Sequence, residues 1–279
     1  MRKSLRNFLG LLYGIIYGVA HVVPGLSGGT FLVIFGCYDV VCEAFALNFK
    51  EVKRHFFFLA LFGVGTVGGL IGFAHIITYL FANFAIQTSL FFMGLILGGI
   101  PLIVKTASSE ESFKPACIPP FVLGLVLVVS LSLLEKFGIF NVDATNAVDF
   151  AFMASIVLYS FIAAIAMVMP GISGAFVLVA FGVYDLFMQS LRVFDFAVIF
   201  PAAVGVLVGI VVGAKLILLL LKKFKLMIYS AIIGMVVGSA VPLFPNGVGV
   251  NAASLSGMVC LALGGLLALK MGKKEYTSK

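Results

Sequence analysis

The chain is a succession of apolar runs divided by short polar or charged punctuation. The runs fall at 7–23, 28–47, 56–82, 87–104, 117–135, 150–169, 174–190, 196–221, 226–244 and 252–270. The punctuation falls at Asn48–His55, Lys105–Pro115, Lys136–Asp149, Lys222–Lys225 and Pro242–Asn251. Most runs approach or exceed the roughly 20 residues that let a helix cross a hydrocarbon layer about 30 Å thick. The pattern predicts ten helical elements, five in each half of the chain.

Two of the polar interruptions are versions of one another. Pro24–Asp39 reads PGLSGGTFLVIFGCYD and Pro170–Asp185 reads PGISGAFVLVAFGVYD, identical at ten of sixteen positions and 146 residues apart. The repeat continues past this motif at an offset of 140. Gly65, Gly69, Ala74, Phe84, Gly94 and Gly98 recur as Gly205, Gly209, Ala214, Phe224, Gly234 and Gly238. The spacing of four between glycines suits close approach of helix backbones. Two membrane repeats follow as an expectation, residues 1–140 with a tip at 24–30 and residues 141–279 with a tip at 170–176.

Composition makes the solvent explicit. Hydrophobic residues are 62% of the 279, charged residues 10%, and the mean hydropathy is +1.23. A soluble domain has about half apolar and a quarter charged residues, so the chain is expected to be a polytopic membrane protein. The net charge of +7 comes without a basic stripe interleaved with aromatics, so nucleic acid is not an expected partner. Cys37, Cys42, Cys117 and Cys260 lie in apolar contexts without metal-ligand spacing and read as free thiols. No metal or cofactor is expected. Met1–Arg6 and the apolar run behind it resemble a signal peptide, but no small-x-small site closes the run, so it reads as retained structure.

Positive charge sets an orientation. With the N-terminus in the cytoplasm and elements one and two forming a hairpin, cytoplasmic segments hold 15 of the 18 basic residues. These are Arg2, Lys3, Arg6, Lys50, Lys53, Arg54, Lys105, Lys114, Lys222, Lys223, Lys225, Lys270, Lys273, Lys274 and Lys279. Lys136 and Arg192 fall outside and Lys215 within a span. Both termini are then cytoplasmic. Five elements per half is an odd number, so the two repeats have inverted topology. The fold expected is all-α, two inverted repeats of five helical elements, each opening with a re-entrant helical hairpin whose polar turn lies near the midplane.

The tips carry the candidate chemistry. Pro24 and Pro170 stop the preceding helices. Gly25 and Gly171 permit a sharp turn, while Gly28, Gly29 and Gly174 expose backbone amides. Ser27 and Ser173 stand where N-caps would open the returning helices, and Thr30 adds a hydroxyl. Unpaired N–H groups at a helix start favour an anion, and two such starts facing each other would form one phosphate-sized pocket. Several donors are needed. An unpaired buried anion costs on the order of tens of kcal/mol, whereas each charge-assisted hydrogen bond returns about 1.5–3 kcal/mol.

The remaining polar residues in the apolar runs are candidates for coupling or gating. Asp39 and Asp185 end the two motifs, about 18 Å along an ideal helix from their serines, and Glu43 lies one turn beyond Asp39. Proton or cation coupling and plain interfacial solvation both fit these acids. His75 and Lys215 correspond between the repeats; Lys215 either snorkels to the headgroups or steers a phosphate. His21 precedes the first tip and is matched by Met167, so a role for it would break the symmetry.

The pair PG-[LI]-SG followed by G-x-Y-D, once per half, resembles the bacterial polyprenyl-phosphate transporter family (PopT). The likeness covers both motifs, their spacing and the later Gly-x-x-x-Gly helices. It implies a transporter in the bacterial cytoplasmic membrane that returns undecaprenyl phosphate from the outer to the inner leaflet for reuse in envelope synthesis. Membrane lipids surround it. Carried over by position, the headgroup residues are Ser27, Gly28, Gly29 and Thr30 with Ser173 and Gly174. Two departures stand out: Ala175 replaces a serine, and Asp39 and Asp185 stand where glutamate is common.

Three other readings remain open from the residues. A phosphatase acting on a polyprenyl pyrophosphate needs a histidine nucleophile and base with a cationic clamp. Only His21, His55 and His75 are present, with no clustered arginine, so no catalytic residue is assigned. A secondary transporter of a small anion or other solute fits the same hairpins. A scaffold protein finds no support in the short loops.

Overall fold

The computed structural model describes residues 3–22, 27–108, 113–137, 150–245, 248–249 and 252–276, and every α-helical or other regular element among them is helical. The first half runs α1 (Lys3–Val22), α2 (Gly28–Ile34), α3 (Tyr38–Phe45), α4 (Phe49–Arg54), α5 (Phe56–Asn83), α6 (Ala85–Ala107) and α7 (Ile118–Phe137). The second runs α8 (Phe150–Val168), α9 (Gly174–Ala180), α10 (Tyr184–Val193), α11 (Phe196–Gly238), α12 (Ala240–Leu243) and α13 (Ala252–Tyr276). Among the described residues six helices, α5, α6, α7, α8, α11 and α13, are long and apolar enough to cross a membrane. Their outer faces carry large apolar side chains, such as Leu123 at 70% and Leu255 at 73% exposure, which suit lipid and not water.

Two boundaries differ from the sequence reading. The runs 28–47 and 174–190 are not single helices. Each breaks after seven residues at a glycine with positive φ, Gly36 (+68°) and Gly182 (+69°). In the first copy Cys37 N–H bonds to Leu32 carbonyl and Gly36 N–H to Val33 carbonyl, each at 3.0 Å. In the second, Val183 bonds to Leu178 at 3.0 Å and Gly182 to Val179 at 2.8 Å. This is the Schellman arrangement, which closes a helix on a left-handed residue, and glycine enters that region without a Cβ penalty. The G-x-Y-D end of the motif is thus a helix stop followed by a helix start.

The runs 196–221 and 226–244 are two helical segments that meet at a kink inside α11: the non-helical Phe224 (φ −135°, ψ 45°) divides its 43 residues within the charged stretch Lys222–Lys225, and α12 follows. A straight helix of that length would span about 65 Å, twice the hydrocarbon thickness. Phe84, between α5 and α6, has the same conformation (φ −136°, ψ 45°). The polar stretch 48–55 contains the short helix α4, with Glu51 in its first turn and Lys53 and Arg54 in its last, the charge order that a helix dipole favours.

Glycines decide which helices touch. A methyl group at Gly65 or Gly69 of α5 would overlap the carbonyls of Leu11 and Ile15 on α1. At Gly205 and Gly209 of α11 it would overlap Val157 and Phe161 carbonyls on α8. Gly94 and Gly98 of α6 lie against Leu261 and Gly265 of α13, and Gly234 and Gly238 of α11 against Phe121 and Leu125 of α7. These contacts are backbone to backbone, the packing expected where lipid offers no hydrophobic drive between helices. The last helix of each half therefore packs on the other half. Between these pairs sits a core that includes Tyr13, Phe31, Ile34, Phe35, Ile96, Ile232 and Val236, all 2% exposed or less.

Candidate functional site

Ser27 and the start of α2 meet the turn from α8 to α9 in the interior. Thr30 Oγ1 accepts a hydrogen bond from the Gly171 amide at 2.9 Å. Ser27 Oγ donates to the Met169 carbonyl over a long 3.4 Å. Gly29 leaves room for Pro170: a methyl group there would stand 3.2 Å from Pro170 N and Cα. Tyr38 of α3 donates its hydroxyl to the Val168 carbonyl at 2.9 Å. The first copy of the motif thereby satisfies carbonyls that the C-terminal end of α8 leaves without helical partners.

Residues Ser27 and Ser173 do hold the N-cap positions with extended backbone, at φ −103° and −91°. Neither side chain caps its helix. At Ser27 the physical reason is the carbonyl across the contact, which takes the hydroxyl away from its own first turn. The two copies are unequal in access. All seven residues of α2 are buried, Ser27 is 2% and Thr30 0% exposed, while Ser173 and Gly174 are half-buried and Ala175 is exposed. Gly171 has φ +86°, and a Cβ there would stand 2.6 Å from the Met235 backbone of α11, so that turn is locked by glycine. Gly25 lies outside the described residues.

The coupling candidates are dispersed. The helix stops at Gly36 and Gly182 overturn the 18 Å estimate for Asp39 and Asp185, because each acid opens a new helix, α3 or α10, in its first turn. Both are exposed there, where a carboxylate complements the helix dipole. Glu43, in α3, accepts from Asn48 Nδ2 of the following turn at 2.8 Å. Lys215 is exposed on α11, and His75 lies on α5 with its side chain outside the described ones. His21 is the candidate that touches a tip. Its Nδ1 donates to Tyr17 carbonyl at 2.8 Å, its ring packs on Tyr17 at 4.5 Å, and both rings fill the space a Cβ on Gly28 would need. Tyr38 was missed by residue-type reasoning, although its recurrence as Tyr184 marked it.

An apolar cavity of about 550 Å³ is lined by Phe31 of α2 and the following Phe35, together with α1, α5, α6 and α13; none of the residues of the polar contact is in its lining. Gln87 and Thr88 are the only uncharged polar side chains in its lining besides the thiol of Cys260, and no charged residue lines it.

The family described as VCA0040-like, undecaprenyl phosphate translocase-like, matches residues 18–253, which include both motif copies. The chain belongs to this family. It is 29% identical over 279 residues to a polyprenyl-phosphate transporter of Staphylococcus aureus (strain NCTC 8325 / PS 47), with 96% of each chain covered. It is 24% identical over 258 residues to a polyprenyl-phosphate transporter of Vibrio cholerae serotype O1 (strain ATCC 39315 / El Tor Inaba N16961), covering 87% of this chain and 79% of the relative. No solved structure matches. Membership of a translocase family, with six apolar helices of spanning length, makes the chain a multi-pass membrane transporter and not an enzyme.

Proposed function

We propose that this protein carries polyprenyl phosphate from the outer to the inner leaflet of the bacterial cytoplasmic membrane, with the phosphate bound where the two tips meet. The observation that carries the reading is the buried hydroxyl contact of Ser27 and Thr30 with residues 169–171, beside Phe31 in the chain, which lines the apolar cavity. The tips are read as re-entrant turns of two inverted repeats, supported by the matching glycine pairings of α1 with α5 and α8 with α11.

In this reading the tip contact is a latch that an anion replaces. Neutral hydrogen bonds contribute about 0.5–1.5 kcal/mol each, and bonds to a charged group about 1.5–3 kcal/mol. Each hydroxyl that leaves a backbone partner for a phosphate oxygen gains on the order of 1 kcal/mol, while a neutral headgroup offers no gain. Because α2 and α9 have only seven residues, their dipoles are short, and the local amides of Gly28, Gly29 and Gly174 with the three hydroxyls supply the donors. The open side at Ser173 and Ala175 is the entry, and the prenyl chain follows along the cleft beginning at Phe31. Asp39 and Asp185 are the proposed coupling acids.

The test is transport of a fluorescent polyprenyl phosphate in reconstituted vesicles, with and without an imposed proton gradient. Ser27→Ala with Thr30→Val and Ser173→Ala is expected to abolish transport in protein that inserts normally. Unchanged transport would sink the site. Inhibition by soluble phosphate as strong as by the lipid would favour a small-anion transporter instead.

A further inference from the structure

A second cavity, of about 430 Å³, lies away from the tips between the end of α6, the 3₁₀ turn Pro115–Cys117 and the interruption of α11. Four lysines line it: Lys114 on one wall, Lys222, Lys223 and Lys225 on the other. No acid is among its lining residues.

The walls are held in place. Ser230, buried on α11, donates to the Cys117 carbonyl at 2.6 Å, tying the lysine-bearing segment to the 3₁₀ turn. Close packing of Gly234 on Phe121 fixes the same two elements one turn further on. Phe224 supplies the break that turns the chain around the cavity, and Lys223 Nζ sits 5.2 Å from the centre of its ring.

Charge bias between the two faces accounts for lysines at this corner, and the matching break at Phe84, on the opposite face in that orientation, has Ala82, Asn83 and Ala85 instead. What the bias does not set is the gathering of Lys222, Lys223 and Lys225 with Lys114 around one cavity.

We propose that the four-lysine cavity is a second phosphate site, taking a phosphomonoester headgroup at the membrane surface. The shared chemistry is a compact dianion, carried by a lipid or by free phosphate. The proposal extends the transport reading by giving the headgroup a place on the lysine-bearing face, but binding there does not depend on the tips.

The experiment labels the purified full-length protein, in nanodiscs of neutral lipid, with a photoactivatable long-chain alkyl phosphate and maps the labelled peptides. Label is expected on the peptide containing Phe224–Met227. Lys114→Gln with Lys222→Gln, Lys223→Gln and Lys225→Gln is expected to weaken it at least tenfold, since each lysine near a membrane surface contributes about fivefold. Arginine at the same four positions restores it, and Lys50→Gln with Lys53→Gln, removing charge elsewhere, leaves it unchanged. Protection by inorganic phosphate assigns the site to the free anion, and protection by the alkyl phosphate alone assigns it to a lipid. Label at this peptide that is indifferent to the four substitutions overturns the proposal. The Ser27→Ala, Thr30→Val variant keeps the label here, so a failure of the tip reading and a failure of this one are separable.

Discussion

Thr30 holds the two halves together through one oxygen. Replacing it with valine keeps the shape and removes the acceptor, leaving the buried Gly171 amide without its partner. The expected cost is about 1–3 kcal/mol, read as a lowered Tm in detergent, and serine at position 30 should recover most of it. Gly171→Ala should be at least as damaging, because a left-handed φ and the Met235 backbone both oppose a Cβ. That Ser27, Thr30 and the glycines stand apart was legible from a polar motif recurring in apolar surroundings. Their partners, Met169 and Gly171, were not, since a hydrogen bond across 141 positions leaves no local pattern.

At the scale of elements, the hydrophobic runs gave most helices and the glycines their neighbours. Gly69→Ala, which meets the Ile15 backbone, should destabilise clearly, whereas Gly63→Ala and Gly68→Ala, with open space around them, should change Tm little. Gly36→Ala and Gly182→Ala should each cost about 1 kcal/mol, and by similar amounts, because both close a Schellman stop at the same φ. A large difference between the two in thermal unfolding would contradict that equivalence. The helix stops were misread because residues 28–47 and 174–190 stay apolar through the break. Hydropathy reports the solvent a segment meets, not the hydrogen bonds that end it. At Lys222–Lys225 the charged punctuation does mark an interruption, the kink at Phe224.

Across the whole molecule, α6 packs on α13 and α7 on α11, so each half supplies a helix to the other. Residues 1–140 and 141–279 expressed as separate chains should therefore fail to accumulate alone and co-purify when made together. Recovery of either half by itself as a stable species would show that the exchange is dispensable. The orientation read from charge is checked with single cysteines near Lys53, Lys223 and Arg192 in a cysteine-free background. An impermeant thiol reagent should reach the first two from one side of the membrane and the third from the other. What the sequence determined by itself was the solvent, the number of apolar runs, the duplication and the polar residues it isolates, because each is written in local composition and spacing. Only the tertiary structure decided that the two tips touch, that Ser27 spends its hydroxyl across the contact and not on its own helix, and that four lysines distant in the chain surround one cavity. Those outcomes depend on which surfaces meet, and that is set by backbone approach at glycines and by burial, neither of which a residue carries alone.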